Sequence, residues 1–113
     1  MSGSVHLNRK LVPEDAVRVD DGAGGHSESW TVLGTLWASV KAGSGREYAS
    51  QHLTLSKVAY RIIVRAAPEG AVERPKPDQR FIDGGRVFRI LAVAEHDSRG
   101  HYLMCQAREE VLA

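Results

Sequence analysis

Residues Ser29 to Ala42 read Ser-Trp-Thr-Val-Leu-Gly-Thr-Leu-Trp-Ala-Ser-Val-Lys-Ala. With a period of two, Trp30, Val32, Gly34, Leu36, Ala38 and Val40 share one face, and Thr31, Leu33, Thr35, Trp37 and Ser39 share the other. This alternation, rich in β-branched and aromatic residues, predicts a long strand rather than a helix. Gly34 falls mid-strand, where glycine marks a bulge or the sharp bend of a barrel corner. On this reading Trp30 and Trp37 lie on opposite faces, so that one side meets the core and the other a neighbour. Tryptophan is enriched at protein interfaces, which makes both residues subunit-interface candidates.

Toward the N-terminus, Leu7 to Val12 reads as a strand closed by Pro13, and Ala16 to Val19 as a second short run. The next six residues, Asp20-Asp21-Gly22-Ala23-Gly24-Gly25, contain nothing that builds a core and predict a mobile surface loop. Toward the C-terminus, Gly43-Ser44-Gly45 breaks the long strand. Ser44 followed by Glu47 matches a capping box, so Arg46 to Leu53 has the makings of about two helical turns. The stretch Ala42 to Thr54 is therefore expected to be a long loop or short helix.

Val58 to Ala66 alternates again, with Val58, Tyr60, Ile62 and Val64 opposite Ala59, Arg61, Ile63 and Arg65. Pro68, Pro75 and Pro77 make Glu69 to Asp78 an exposed extended loop. A short strand, Gln79 to Ile82, leads into the hairpin signal Asp83-Gly84-Gly85. Arg86 to Glu95 and His101 to Arg108 then form an antiparallel pair around the turn Asp97-Ser98-Arg99-Gly100. The expected fold is mostly β: a small antiparallel β-barrel of about six strands with one long loop or short helix, because closure removes the edges an open sheet would expose.

A length of 113 residues fits a single domain spanning 1–113 and suffices to bury a core. The net charge of +1 lacks the basic excess of a protein that grips DNA over a broad face, which argues against sequence-independent DNA binding by a free monomer. The single cysteine, Cys105, excludes an intramolecular disulfide, and its mid-strand position predicts a small buried apolar residue. No apolar run approaches the roughly 18 residues of a membrane helix. Met1 to Lys10 lacks a signal-peptide core, so synthesis in the cytoplasm is expected and no membrane partner.

No residue set points to catalysis. The histidines, His6, His26, His52, His96 and His101, have neither the helical spacing of a zinc protease nor a finger-type pairing with cysteines. His96 and His101 flank a turn and make a poor metal site by themselves. Gly22-Ala23-Gly24-Gly25 and Gly43-Ser44-Gly45-Arg46 lack the strand-to-helix context and the Gly-Lys-Ser/Thr ending of a phosphate loop. The expectation is a protein that is not an enzyme and carries no metal and no cofactor. Arg61, Arg65, Arg86 and Arg89 concentrate positive charge on strands. They suit a solvated face, inter-subunit ion pairs or a surface facing DNA in a ring whose fields add.

The order of these features resembles the head–tail joining proteins (head-closure or stopper proteins) of long-tailed phages and phage-like particles. The resemblance is carried by Trp30, Gly34-Thr35-Leu36-Trp37-Ala38-Ser39-Val40, Ser44-Gly45-Arg46-Glu47, Tyr60-Arg61-Ile62-Ile63-Val64-Arg65, Gly85-Arg86-Val87-Phe88-Arg89-Ile90 and the strand Tyr102 to Glu109. It spans Leu7 to Glu109. Order and spacing make it specific, not any one motif. The glycine-rich insertion at Asp20 to Gly25 and the Pro75/Pro77 pair depart from the family pattern.

The resemblance implies a β-barrel subunit of a homo-oligomeric ring of about six copies at the head–tail connector. Portal and adaptor proteins would lie above it, and tail-terminator or tail proteins below. The ring would close the channel over packaged double-stranded DNA and dock the tail, in a virion or phage-like particle such as a gene transfer agent. By motif position the channel loop is Lys41 to Thr54, with Gly43, Ser44, Gly45, Arg46 and Glu47 as its DNA-channel candidates. Trp30, Trp37, Arg61 and Arg65 are the subunit-interface candidates.

Two readings compete. A small OB-like nucleic-acid-binding barrel would need exposed aromatics that stack on bases and salt-sensitive affinity. Few aromatics and balanced charge argue against it. A tail-terminator protein of the same assembly would need a long amphipathic helix, which the pattern lacks.

Overall fold

A computed structural model of the chain describes residues 5–43 and 59–110. Seven strands follow one another: β1 (Arg9–Asp20), β2 (His26–Val32), β3 (Leu36–Ala42), β4 (Ala59–Arg65), β5 (Arg80–Asp83), β6 (Arg86–Glu95) and β7 (Tyr102–Glu110). Every pairing is antiparallel, and no helix occurs among the described residues. The ladder runs β1-β3-β4-β7-β6-β5 and returns from β5 to β1, so the sheet closes on itself. β2 pairs only with β1 and carries the outer half of that strand away from the ring as a hairpin arm.

Alternation along each strand builds the core. Ala38, Val64 and Leu103 sit side by side, as do Val40, Ile62 and Cys105 one row on. Phe81 faces Phe88, and both are fully buried, as are Leu11 and Ile90. Cys105 lies wholly inside this cluster, as its mid-strand position implied.

The long strand foreseen for Ser29 to Ala42 is divided at Gly34 into β2 and β3, and the bulge changes its faces. Glu14 faces Val32 in the arm, whereas Leu11 faces Leu36 in the barrel, a register slip of one residue. A slip of one residue moves every following side chain to the other face. Trp30 and Trp37 therefore lie on the same outward face, correcting the expectation of opposite faces. Gly34 sits at φ 129, a conformation that side chains of L-residues rarely adopt, which is why glycine occupies the bulge.

The same bulge explains Pro13, which does not end a strand. β1 runs unbroken through it, joining the two runs expected to be separate. The backbone of residue 13 points toward the bulge, where its C=O accepts the Leu33 N–H at 2.9 Å. The missing proline N–H falls where the ladder is already interrupted.

The segment Asp20 to Gly25 lies on the surface, as expected, and takes the form of a hydrogen-bonded hairpin turn. Asp21 Oδ1 accepts the N–H groups of Ala23 (2.8 Å) and Gly25 (3.1 Å), and the Asp21 N–H donates to the Gly25 C=O. Strand β2 consequently starts at His26, three residues before the predicted Ser29.

The loop before β5 is exposed for much of its length, but Pro75 is buried. Gln79, also buried, fastens the loop: its side chain accepts the Lys76 N–H and donates to Asp15 Oδ1, and its backbone bonds to Ile90. The short helix considered for Arg46 to Leu53 lies outside the described residues.

Candidate assembly surfaces

The two ends of the barrel differ. At one end β3 and β4 are held together as far as the Gly43 N–H, which donates to the Ala59 C=O at 2.7 Å. Gly43 is half-buried there; the other channel-loop candidates, Ser44, Gly45, Arg46 and Glu47, lie outside the described residues. Beside this connection the barrel mouth is closed by an ionic and aromatic cluster. Arg86 donates from Nε and one terminal nitrogen to the two oxygens of Glu109 at 2.9 and 3.0 Å, and to the Tyr60 hydroxyl at 3.1 Å. Its guanidinium lies over the Phe88 ring at 4.9 Å, and the Tyr60 and Phe88 rings meet edge to face at 5.0 Å.

The forked Arg86 hydrogen bonds hold the Glu109 carboxyl below the usual carboxylate range and raise Arg86 above its ordinary value. Arg9 and Asp83 form a further ion pair.

At the opposite end the arm leaves the barrel, and its root is clamped. Arg80 binds Glu14 at 2.7 Å, and its guanidinium lies 3.9 Å from the centre of the Trp30 ring. Arg89 approaches the same ring at 5.3 Å. Register makes this possible: Glu14 is the partner of both Val32 and Arg80, and Arg80 is the partner of Arg89. Trp30 thus serves its own chain as the anchor of the arm. Beyond it, residues 17–29 are all exposed.

Trp37 behaves differently. It is 56% exposed and lines a groove of about 770 Å³ together with Pro13, Leu36, Val64, Arg65 and Pro68. Arg61 and Arg65 project outward from β4; Arg61 stands beside Lys41 on β3 and Gln106 on β7, and Arg65 beside Tyr102. The structure brings Trp37 and Arg65 to one groove, places Arg61 farther along the same outer face, and sets Trp30 apart at the arm root.

The sequence reading missed the partners Glu14, Arg80 and Glu109. Arg86 and Arg89 stood out as strand arginines, but the residues they meet are distant in sequence and only the ladder joins them.

Among the described residues, no group of three or more His, Cys, Asp or Glu side chains is placed to hold a metal ion. His101 instead stands 3.7 Å from Asp97, whose Oδ1 accepts the N–H groups of His101 and Tyr102 and shapes the β6–β7 turn. Burial pushes the Cys105 thiol up to about 12, the opposite of what a reactive thiolate requires.

A closed barrel bearing an arm, an exposed tryptophan groove and a basic outer face suits contact with other proteins. Comparison with known families agrees: the model of the family described as phage head completion protein matches residues 4–110. The chain belongs to the phage head completion protein family. Its role is accordingly structural and head-related, and the resemblance seen in the sequence holds across the described barrel.

This head completion protein is 61% identical to a chain solved in the virion of a native gene transfer agent particle. That match has a TM-score of 0.79 and covers 96% of this chain and 98% of that one. Protein SF1141 from Shigella flexneri 2a, solved in solution, shares the fold at a TM-score of 0.67 and 24% identity, over 95% of this chain and 96% of that one. No curated protein matches the chain.

Proposed function

We propose that this head completion protein is a virion component of a phage or phage-like particle. In this reading it forms a ring of about six copies at the head–tail connector, closes the DNA channel after packaging and docks the tail. The observation that carries the reading is the 61% identity, over nearly all of both chains, to a protein in a gene transfer agent virion. That relative makes a particle carrying packaged double-stranded DNA the natural setting.

The geometry supports a mechanical part. The barrel is closed around a packed apolar core, so it can act as a rigid body between neighbours. The connection between β3 and β4 and the hairpin arm leave from opposite ends, so one subunit offers different elements to the channel and to adjoining proteins. Portal or adaptor proteins would lie on one side of the ring, and tail-terminator or tail proteins on the other. Gly43, Ser44, Gly45, Arg46 and Glu47 would form the part of the loop that obstructs DNA. The exposed Trp37 and the outward Arg61 and Arg65 would contribute to subunit contacts, with Trp30 holding the arm in position. Gating of this kind requires no bond-making chemistry, only an element with two arrangements that neighbouring proteins can bias.

The test is electron microscopy of particles from cells lacking the protein, with the purified protein added back. DNA-leaking or tailless heads rescued by the addition are the expected result. Tailed, DNA-filled particles without the protein would remove the function. Deleting residues 43–48 should preserve incorporation but release DNA; retained DNA would remove the loop assignment alone.

A further inference from the structure

Charge is divided unequally within this nearly neutral chain. Between Glu14 and Val32 the arm carries Glu14, Asp15, Asp20, Asp21 and Glu28 against the single cation Arg18. Glu14 is neutralised by Arg80 at the arm root, leaving the acidic excess on the projecting portion. The face of β1 that includes Asp15 also presents Val17 and Val19, which are 40% and 48% exposed, and continues to Asp21 at the turn. Two exposed valines are thus bracketed by carboxylates.

The outer face of β3, β4 and β7 has the reverse pattern. Register aligns Ser39, Ile63 and Met104 across the three strands; Ser39 is buried among its neighbours, and the half-buried Ile63 and Met104 form a short apolar strip. On one side of the strip lie Lys41 and Arg61, with Arg108 farther along; on the other lies Arg65. Among the described residues, Lys41, Arg61, Arg65 and Arg108 form no ion pair. The arm of the same chain does not cover this face, since β2 packs along no described strand other than β1.

We propose that the arm of one copy lies across this outer face of the next copy, the Val17–Val19 side on the Ile63–Met104 strip and the Asp15 and Asp21 carboxylates of that side toward the flanking cations. The inference rests on the ring reading and supplies its contact. Arm and face are different patches, so the interface is heterologous, the type that closes into a ring when the rotation per copy allows it. Apolar side chains in the middle of the face favour a protein partner, because a DNA backbone gains nothing from them. Opposite charges on one chain also steer copies into a single relative orientation.

Cysteines introduced by Val19→Cys and Ile63→Cys in one chain test the contact in assembled particles, since the native thiol at Cys105 is buried. Oxidation should yield a ladder of disulfide-linked multimers that neither single variant gives. Independently, Ser27→Lys with Ser29→Lys, which stand beside Val19 and Val17 on the same face of the arm, should lower incorporation into particles about tenfold, a loss of about 1.4 kcal/mol in binding. Adding Lys41→Glu and Arg61→Glu should restore at least half of it, and thermal melts of each variant confirm folding. An amine-directed cross-linker giving multimers while the cysteine pair gives none and the charge exchange fails to rescue would overturn the arm placement and leave the ring intact. Absence of multimers with either cross-linker would overturn the ring reading and the inference together. Cross-linking of position 63 to packaged DNA would assign the face to the channel and overturn the inference.

Discussion

Replacing Trp30 by alanine should detach the arm without unfolding the barrel. The ring is held by Arg80 at 3.9 Å and by Arg89 at 5.3 Å, and it is more buried than any residue beyond it in the hairpin. Two cation–π contacts at a partly exposed site contribute about 0.5–1 kcal/mol each. Loss of roughly 100 Å² of covered ring surface adds about 2.5 kcal/mol at 25 cal/mol per Å². The arm root is therefore weakened by about 3.5–4.5 kcal/mol, enough to raise its opening by more than two orders of magnitude, since about 1.4 kcal/mol is a factor of ten.

Amide hydrogen exchange reads this directly. Amides of β2 and of residues 15–20 should exchange at least a hundredfold faster, whereas Ile62, Leu103 and Cys105 in the core keep their protection. Trp30→Phe, which retains a ring, should lose less than half as much. Equal acceleration in arm and barrel would show that they open as one unit and refute the local-anchor argument. Unchanged exchange in the arm would show that the Trp30 clamp contributes nothing.

Two further outcomes follow from the core and the barrel mouth. Cys105→Ser puts a hydroxyl into an apolar core, and an unpartnered buried hydroxyl costs about 1–3 kcal/mol, so the midpoint of thermal unfolding should fall by roughly 4–8 °C per kcal/mol. A variant that melts with the wild type would indicate a partner for the hydroxyl; the wild-type thiol should resist alkylation until the protein is denatured. For Glu109, the folded carboxyl is held below its ordinary value, so its stabilising effect is present above the unfolded value near ~4.3 and disappears as pH falls through the lower folded value. Glu109→Gln should melt below the wild type at neutral pH by an amount corresponding to about 1 kcal/mol, given a half-exposed pair, and the two curves should converge in acid; a gap that persists below the folded value would remove the ion pair as its cause.

Local chemistry made much of this protein legible in its sequence. Alternation around Tyr60 to Arg65 and Arg86 to Ile90 located strands, because side chains in a strand alternate whatever lies beside them. Asp83-Gly84-Gly85 and Asp97 to Gly100 located turns for the same reason: the residues that shape a turn lie within it. Gly34 marked the bulge, and the ordered succession of weak motifs from Trp30 to Glu109 pointed to the family. Tertiary structure decided what depends on pairing across the chain. Gly34 signalled an irregularity but not its size, and a slip of a single residue relative to β1 put Trp30 and Trp37 on one face. Pro13 resembled a strand end until the bulge opposite it removed the need for its N–H. The Glu14–Arg80–Trp30 clamp and the Arg86–Glu109 fork exist because closure of the barrel brings distant strands into register, and the division between an acidic arm and a basic face emerges only when strands far apart in sequence become neighbours.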